Sequence, residues 1–395
     1  MSGVDATSFL VIVAVAALAG VIATFAASRV LVPVVVLELV LGIVVGPQVA
    51  DIAHVDEFTD FFGNLGLGML FFFAGYEIDF ERIRGRPLQL GARGWALSLV
   101  LAYGIGAALE GAGLVISFLY TGSALATTAM GTLIPILRDS GDLHTRFGTY
   151  LLSAGAVGEF GPILLITLVL STSHPVHEAV ILVLFVALAV LTGVFAVRSA
   201  GRGWGVLERT LESSSQLAVR LAVVLVFALV ALASELGLDL LLGGFVAGLI
   251  TRQALRGQEV HLFESKLTAV GYGFLIPFFF VTSGMKFDLD GLTSSSSALA
   301  KLPLFLALFL VVRGLPALLI YRRDLDAPER SALALFTATE LPLVVAVTTL
   351  ATETGHMRST TAAALVGAAI LSSLIYPLMA LKVRRATAPA AVSAR

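Results

Sequence analysis

A run of roughly 17–25 mostly apolar residues is long enough to cross the hydrocarbon core of a bilayer, and this chain consists almost entirely of such runs. Read between charged or turn-rich breaks, the 395 residues give about thirteen of them: 8–27, 30–48, 59–79, 91–110, 113–137, 146–170, 177–197, 216–235, 238–252, 265–285, 299–321, 330–351 and 360–381. The ninth is short for a full span, and only Glu235, Gly237 and Asp239 part it from the eighth. The composition agrees, with 58% hydrophobic and 13% charged residues. A soluble domain carries about 25% charged residues, and half that leaves too little polar surface to cover a globule in water. The reading is an all-α polytopic membrane protein with about 13 transmembrane helices.

Thirteen spans put the termini on opposite sides, and the basic residues then orient the chain. With the C-terminus cytoplasmic, twenty of the 25 lysines and arginines fall in cytoplasmic loops and the tail, among them Arg82, Arg84, Arg86 and Arg93. Only Lys286, Lys301 and Arg358 fall in loops on the other side. That asymmetry follows the positive-inside rule, so the expectation is a cell (inner) membrane protein with its N-terminus outside. Residues 1–10 lack the basic start of a signal peptide, and no A-x-A cleavage pattern follows. The first run is expected to be a retained helix. The loops around 198–216 and 251–266 are too short to hold a soluble domain, so residues 1–395 read as a single membrane domain with no soluble regulatory domain.

The chain weakly repeats itself. "LGIVVG" at 41–46 resembles "GGFVAG" at 243–248, and "GMLFFFAGYEID" at 68–79 resembles "LIPFFFVTSGMKFD" at 275–288. "LRDSG" ending at Gly141 has its counterpart in "LATETG" ending at Gly355. Spans two to six thus correspond to nine to thirteen. Five is odd, so the second copy (about 238–381) is expected to be inverted relative to the first (about 30–170). Inverted repeats belong to secondary transporters, with the site near mid-membrane where the repeats meet.

An ionisable group deep in a span is costly and tends to have a partner or a task. Four stand out: Glu38, Glu159, Arg313 and Glu340. Glu159 lies in "GAVGEFGP", flanked by Gly155, Gly158 and Gly161 and followed by Pro162. A carboxylate there takes a proton or a monovalent cation, but not both easily, so Glu159 is the expected shared site. Gly158, Pro135, Pro162 and Pro342 are the expected helix breaks. The fifth span carries Thr127 and Thr128, and the twelfth carries Thr337, Thr339 and Glu340. Paired interruptions of this kind point to a transport site, and freed carbonyls and hydroxyls can ligate a hard cation. Arg313, the one basic residue deep in a span, is expected to form a supporting ion pair, with Glu340 the favoured partner and Glu159 the other. Glu38 reads as an interhelical polar contact. "GIVVG" at 42–46 has the spacing of a helix-dimer motif.

There is no cysteine, and none of the six histidines forms a closely spaced pair on one helix. His174 and His177 share a short loop. No cofactor is expected, nor any nucleic-acid partner, and no nucleophile–base constellation of an enzyme appears in the spans.

The stretches "VPVVVLELVLGIVVGP", "LGLGMLFFFAGYEIDF", "TTAMGTLIPIL", "LGGFVAGLI" and "GYGFLIPFFFVTSGMKFDL", in this order along nearly the whole chain, resemble the monovalent cation:proton antiporter-2 family of the cation/proton antiporter superfamily. The resemblance implies thirteen helices, a core domain and a separate dimerisation domain, a homodimer, and exchange of Na⁺ or K⁺ for H⁺ by an elevator-like movement. It matches Thr128 to the family's threonine in the unwound fifth helix. It also matches Arg313 to a helix that often carries a lysine or arginine. The sequence departs at the site itself. The family has a polar residue followed by aspartate, and this chain has Gly158 followed by Glu159. With one carboxylate left of the pair, the expected exchange is electroneutral. A channel-like or sensory protein on the same scaffold, or a carrier of another solute, are the alternatives, since fold does not fix substrate.

Overall fold

The computed structural model describes residues 5–26, 33–78, 80–165, 207–236, 240–255, 260–293 and 296–387, with 187 and 191. Every long element among them is a helix, and no strand occurs among the described residues. In chain order these helices are α1 (Ala6–Ala26), α2 (Val34–Val45), α3 (Glu57–Tyr76), α4 (Arg86–Gly111), α5 (Phe118–Leu125), α6 (Met130–Asp139) and α7 (Arg146–Leu165). There follow α8 (Leu217–Glu235), α9 (Leu240–Ala254), α10 (His261–Met285), α11 (Ser296–Arg323), α12 (Ala327–Thr337), α13 (Pro342–Glu353) and α14 (Ser359–Thr387). The expected spans fall on these helices, except 177–197, which apart from 187 and 191 lies outside the described residues, as do His174 and His177. Two expected spans are each split into two helices. Residues 113–137 become α5 and α6, and 330–351 become α12 and α13.

Local chemistry fixes several ends. Asp56 caps α3: its Oδ1 accepts from Thr59 N at 2.7 Å, and Asp56 N donates back to Thr59 Oγ1 at 2.9 Å. Asp326 caps α12 in the same way, accepting from Glu329 N at 2.7 Å. Helices α6 and α13 both end at a glycine in the left-handed region, Gly141 at φ 76° and Gly355 at φ 73°. Only glycine takes that conformation without a Cβ penalty.

The chain divides into two compact units. One holds 1–25, 37–79 and 163–287, and so α1, most of α2, α3 and α8–α10. Its core is aromatic and tightly crossed. Phe9, Phe62 and Phe278 meet with ring centroids 5.1–5.7 Å apart. A methyl group at Gly42 would lie 2.3 Å from Val281 O, and one at Gly284 would lie 2.1 Å from Leu39 O, so α2 and α10 cross backbone against backbone. The "GIVVG" spacing therefore serves packing inside this unit. Its use between two copies of the chain is not required to explain it. The other unit holds 26–36, 80–162 and 288–395: α4–α6, most of α7, and α11–α14.

Candidate functional site

Two interrupted helices meet inside the second unit. Residues 126–129 separate α5 from α6, and 338–341 separate α12 from α13. A break in a spanning helix frees backbone groups that lipid cannot satisfy, and here each break answers the other. Ala129 N donates to Thr339 O at 2.8 Å, and Thr128 Oγ1 lies 2.7 Å from Thr337 O. Trp95 Nε1 of α4 donates to Ala126 O at 3.0 Å. Around the second break, Glu340 N donates to Ser372 Oγ at 2.9 Å, and the Ser373 hydroxyl donates to Glu340 O at 2.8 Å.

Of the expected break residues only Pro342 adjoins a break, the one at 338–341. Pro135 is inside α6, five residues beyond its start, and Gly158 and Pro162 are inside a continuous α7. A helix absorbs a proline when neighbouring groups satisfy the freed carbonyl. Pro342 begins α13 as its first residue, where its missing N–H is no loss.

Arg313 is 4% exposed and sits in a π-helical turn, Leu310–Gly314, of α11. Turns of this kind re-aim side chains and recur at functional positions. Its Nε and Nη2 both donate to Thr128 Oγ1, at 3.0 and 2.8 Å. Its Nη1 donates to Ser98 Oγ of α4 at 3.2 Å, and Nη2 also reaches Ala154 O of α7 at 3.3 Å. Thr128 has one hydroxyl proton, which is shared between Thr337 O and its own neighbour's carbonyl, Thr127 O at 2.8 Å. The guanidinium therefore ties α4, α7 and α11 to the first break using neutral acceptors only.

No ion pair joins Arg313 to a carboxylate among the described residues, so the expected direct bond to Glu340 is not formed. Glu340, with no exposed surface, accepts instead from the Thr127 hydroxyl through Oε2, while Oε1 has no hydrogen-bond partner. The adjacent threonines serve the two side chains separately: Thr127 binds the acid and Thr128 binds the base. Both threonines lie in the non-helical stretch 127–129, so helical spacing does not fix where their side chains point.

Glu159 is buried in α7, 4% exposed, one residue beyond Gly158. A methyl group at 158 would lie 2.2 Å from Arg313 Nη2 and 2.9 Å from Thr128 Oγ1. The space that a side chain at 158 would need is thus occupied by the guanidinium. The other glycines of this stretch admit neighbours as well: Gly155 meets the Met130 side chain and Gly161 the Trp95 ring. Glu38 lies in the other unit, buried in α2.

Sequence reasoning passed over Ser98, Trp95, Ser372 and Ser373. The three serines are polar residues set in otherwise apolar runs, and Trp95 is an apolar ring with one N–H that needs a partner when buried; those are the signals that could have found them. At the unit's edge, Arg86 donates to both oxygens of Asp324, which also accepts from Tyr150 Oη at 3.0 Å. The Arg86 hydrogen bond holds the Asp324 carboxyl below its usual range.

Comparison with known proteins places this geometry in context. The family described as "Sodium/hydrogen exchanger, transmembrane" matches residues 13–381. A Bacillus subtilis protein named as a Na(+)/H(+) antiporter, YjbQ, is 26% identical over 88% of this chain and 58% of its own length. The Na(+)/H(+)-K(+) antiporter GerN of Bacillus cereus is 30% identical over 66% of this chain and 67% of its own. This chain thus spans little more than half the length of the first relative. Among solved structures, the sodium proton antiporter MjNhaP1 of Methanocaldococcus jannaschii superposes with a TM-score of 0.61 at 16% identity, over 96% of both chains.

Proposed function

Since the chain belongs to the transmembrane sodium/hydrogen exchanger family, we propose that it exchanges a monovalent cation, Na⁺ or K⁺, for H⁺ by alternating access. Glu159 is the carboxylate that holds the proton and the cation in turn. The observation that carries this reading is the meeting of two broken helices beside a buried carboxylate. Non-helical backbone at membrane depth is tolerated where it is buried in protein or lines a cavity, and here it offers carbonyls and the Thr127 hydroxyl as cation ligands, while Thr128 Oγ1, its two lone pairs filled by Arg313, anchors the arginine beside them. The names of the relatives, Na(+)/H(+) and Na(+)/H(+)-K(+) antiporters, support the same substrates.

Arg313 serves as a fixed charge. It is held by neutral acceptors against Gly158, so it need not change protonation in the cycle. Glu340 acts as its counter-charge across the two threonines. Glu159 then carries one positive charge, H⁺ or the cation, in each direction, and the exchange is electroneutral. In this reading the breaks at 126–129 and 338–341 belong to two inverted repeats, about 30–170 and 238–381. The left-handed glycines at 141 and 355 are their matched helix ends. The chain works as a homodimer in the inner membrane, N-terminus outside and C-terminus cytoplasmic.

The test is reconstitution into vesicles that trap a pH dye. Adding Na⁺ or K⁺ should release protons at a rate indifferent to an imposed potential. One charge moved through 100 mV is worth about 2.3 kcal/mol, so an electrogenic cycle would respond visibly. A rate that follows voltage sinks the single-carboxylate cycle, and no proton release with either cation sinks the antiporter reading.

A further inference from the structure

Beside Arg313 lies a small cavity lined by Gly94, Trp95 and Ser98 of α4, Arg313, Ala317 and Tyr321 of α11, and neighbours from α7 and α12. Its volume is about 10 Å³, on the measure by which one water needs about 10–15 Å³. Two of the residues that line it carry unspent hydrogen-bonding groups. The Tyr321 hydroxyl is buried in a residue only 2% exposed and has no partner. Arg313 has five N–H donors, and its four hydrogen bonds leave one on Nη1. A buried hydroxyl and a buried guanidinium N–H are each costly to leave without a partner. A polar cavity with two or more such partners is where a buried water resides.

We propose that this cavity is a single-water site, and that Tyr321 is a positioning residue for the ion site. The water accepts from Arg313 Nη1 and from the Tyr321 hydroxyl, with Ser98 Oγ close by to receive one of its own protons. The bridge fixes the one end of the guanidinium that no backbone carbonyl holds. A fixed guanidinium stays on Thr128 and against Gly158. A loosened one is free to swing toward the carboxylate next in sequence, Glu159, where it competes with the transported cation. The inference rests on the proposed role of Glu159, but the water bridge itself is tested separately.

Two isolated changes address it. Tyr321→Phe removes the hydroxyl and keeps the ring. Gly94→Ala leaves both partners intact: its methyl group would meet nothing nearer than Tyr321 Cε2 at 3.8 Å, so it enters the cavity without moving protein atoms and takes the water's place. Each variant, reconstituted in vesicles, should weaken apparent cation affinity by about fivefold, the worth of one hydrogen bond, with maximal exchange rate kept. Thermal unfolding of the purified protein in detergent gives the second readout, which needs no transport. The Tyr321→Phe change should lower the midpoint in the wild-type background and have little effect on top of Gly94→Ala, because the water is already displaced. Additive midpoints overturn the water bridge whatever the transport result. Coupled midpoints with wild-type cation affinity in both variants overturn the positioning role of Tyr321. A wild-type protein that exchanges neither cation refutes the antiporter reading, and the midpoints still decide the bridge.

Discussion

The two units bury their interiors by different means. The unit containing α1, α3 and α8–α10 closes on rings and on glycine crossings such as Gly42 against Val281 and Gly284 against Leu39. Its buried polar residues are few among those described: Ser8, Glu38, Thr59, Thr251 and Thr282. The unit containing α4–α7 and α11–α14 buries Glu159, Arg313, Glu340, Lys301 and a set of serines and threonines. In lipid, helices gain nothing from hiding apolar side chains, so they associate through close packing or through hydrogen bonds. The first unit relies mainly on close packing, and the second adds a network of hydrogen bonds to crossings of its own, such as Gly91 against Ser153 O. The lesson is that buried charge here is a local choice made against a scaffold that has no need of it.

The largest effect that would test this contrast is at Glu159. The Glu159→Gln variant should insert and fold yet lose exchange altogether, while Glu159→Asp keeps part of it. Vesicle proton release measures both, and wild-type rates in Glu159→Gln would remove the polar unit's claim to the chemistry.

A matched pair of glycine substitutions sharpens the comparison. At Gly158 the added methyl group meets the far end of a flexible side chain, Arg313 Nη2 at 2.2 Å. At Gly42 it meets backbone, Val281 O at 2.3 Å. Gly158→Ala should therefore reduce exchange by an order of magnitude or more, because the guanidinium moves off its acceptors, with any fall in unfolding midpoint limited to those hydrogen bonds while the helices stay. Gly42→Ala should cost about 1–3 kcal/mol of stability, as overpacking does, and leave cation affinity in the surviving protein unchanged. The reverse pattern would mean that the units are not divided in this way.

Smaller effects follow at single polar contacts. Thr127→Val takes from Glu340 its one side-chain hydrogen bond, and an unsatisfied buried acceptor costs about 1–3 kcal/mol. Thermal midpoints should fall accordingly, and no fall would show that Glu340 is satisfied otherwise. At the edge of the same unit, Asp324 has its carboxyl held low by Arg86. A depressed folded-state pKa means stability that is present above the ordinary carboxylate range and lost as pH falls through the folded value. Asp324→Asn should flatten that acid-side decline. The smallest change belongs to the other unit: Lys286 and Asp60 form an ion pair with side chains 49% and 42% exposed. Exposed pairs of this kind are worth about 0.2–1 kcal/mol, so Lys286→Met should shift the midpoint least, and a shift as large as that of Thr127→Val would overturn the ranking.

The sequence alone determined the all-helical membrane fold, the places of the described spans, the family, and the residues in which chemistry concentrates. These are legible because spanning helices need apolar runs of set length, and because a charge inside such a run stands out against lipid. The tertiary structure decided who meets whom. Arg313 and Glu340 read as a pair, since opposite charges in apolar spans should meet, yet each took a hydroxyl from adjacent threonines. Pro135 and Pro162 read as breaks and proved to be interior helix positions. The interruption at 126–129 carries no proline, because the stability of a non-helical stretch depends on the carbonyl and hydroxyl groups that a second broken helix brings to it. Gly158 read as a missing polar residue, and became instead the seat of a guanidinium from 155 residues further along the chain. Such contacts join residues far apart in sequence, and no local pattern of apolar and polar positions encodes them.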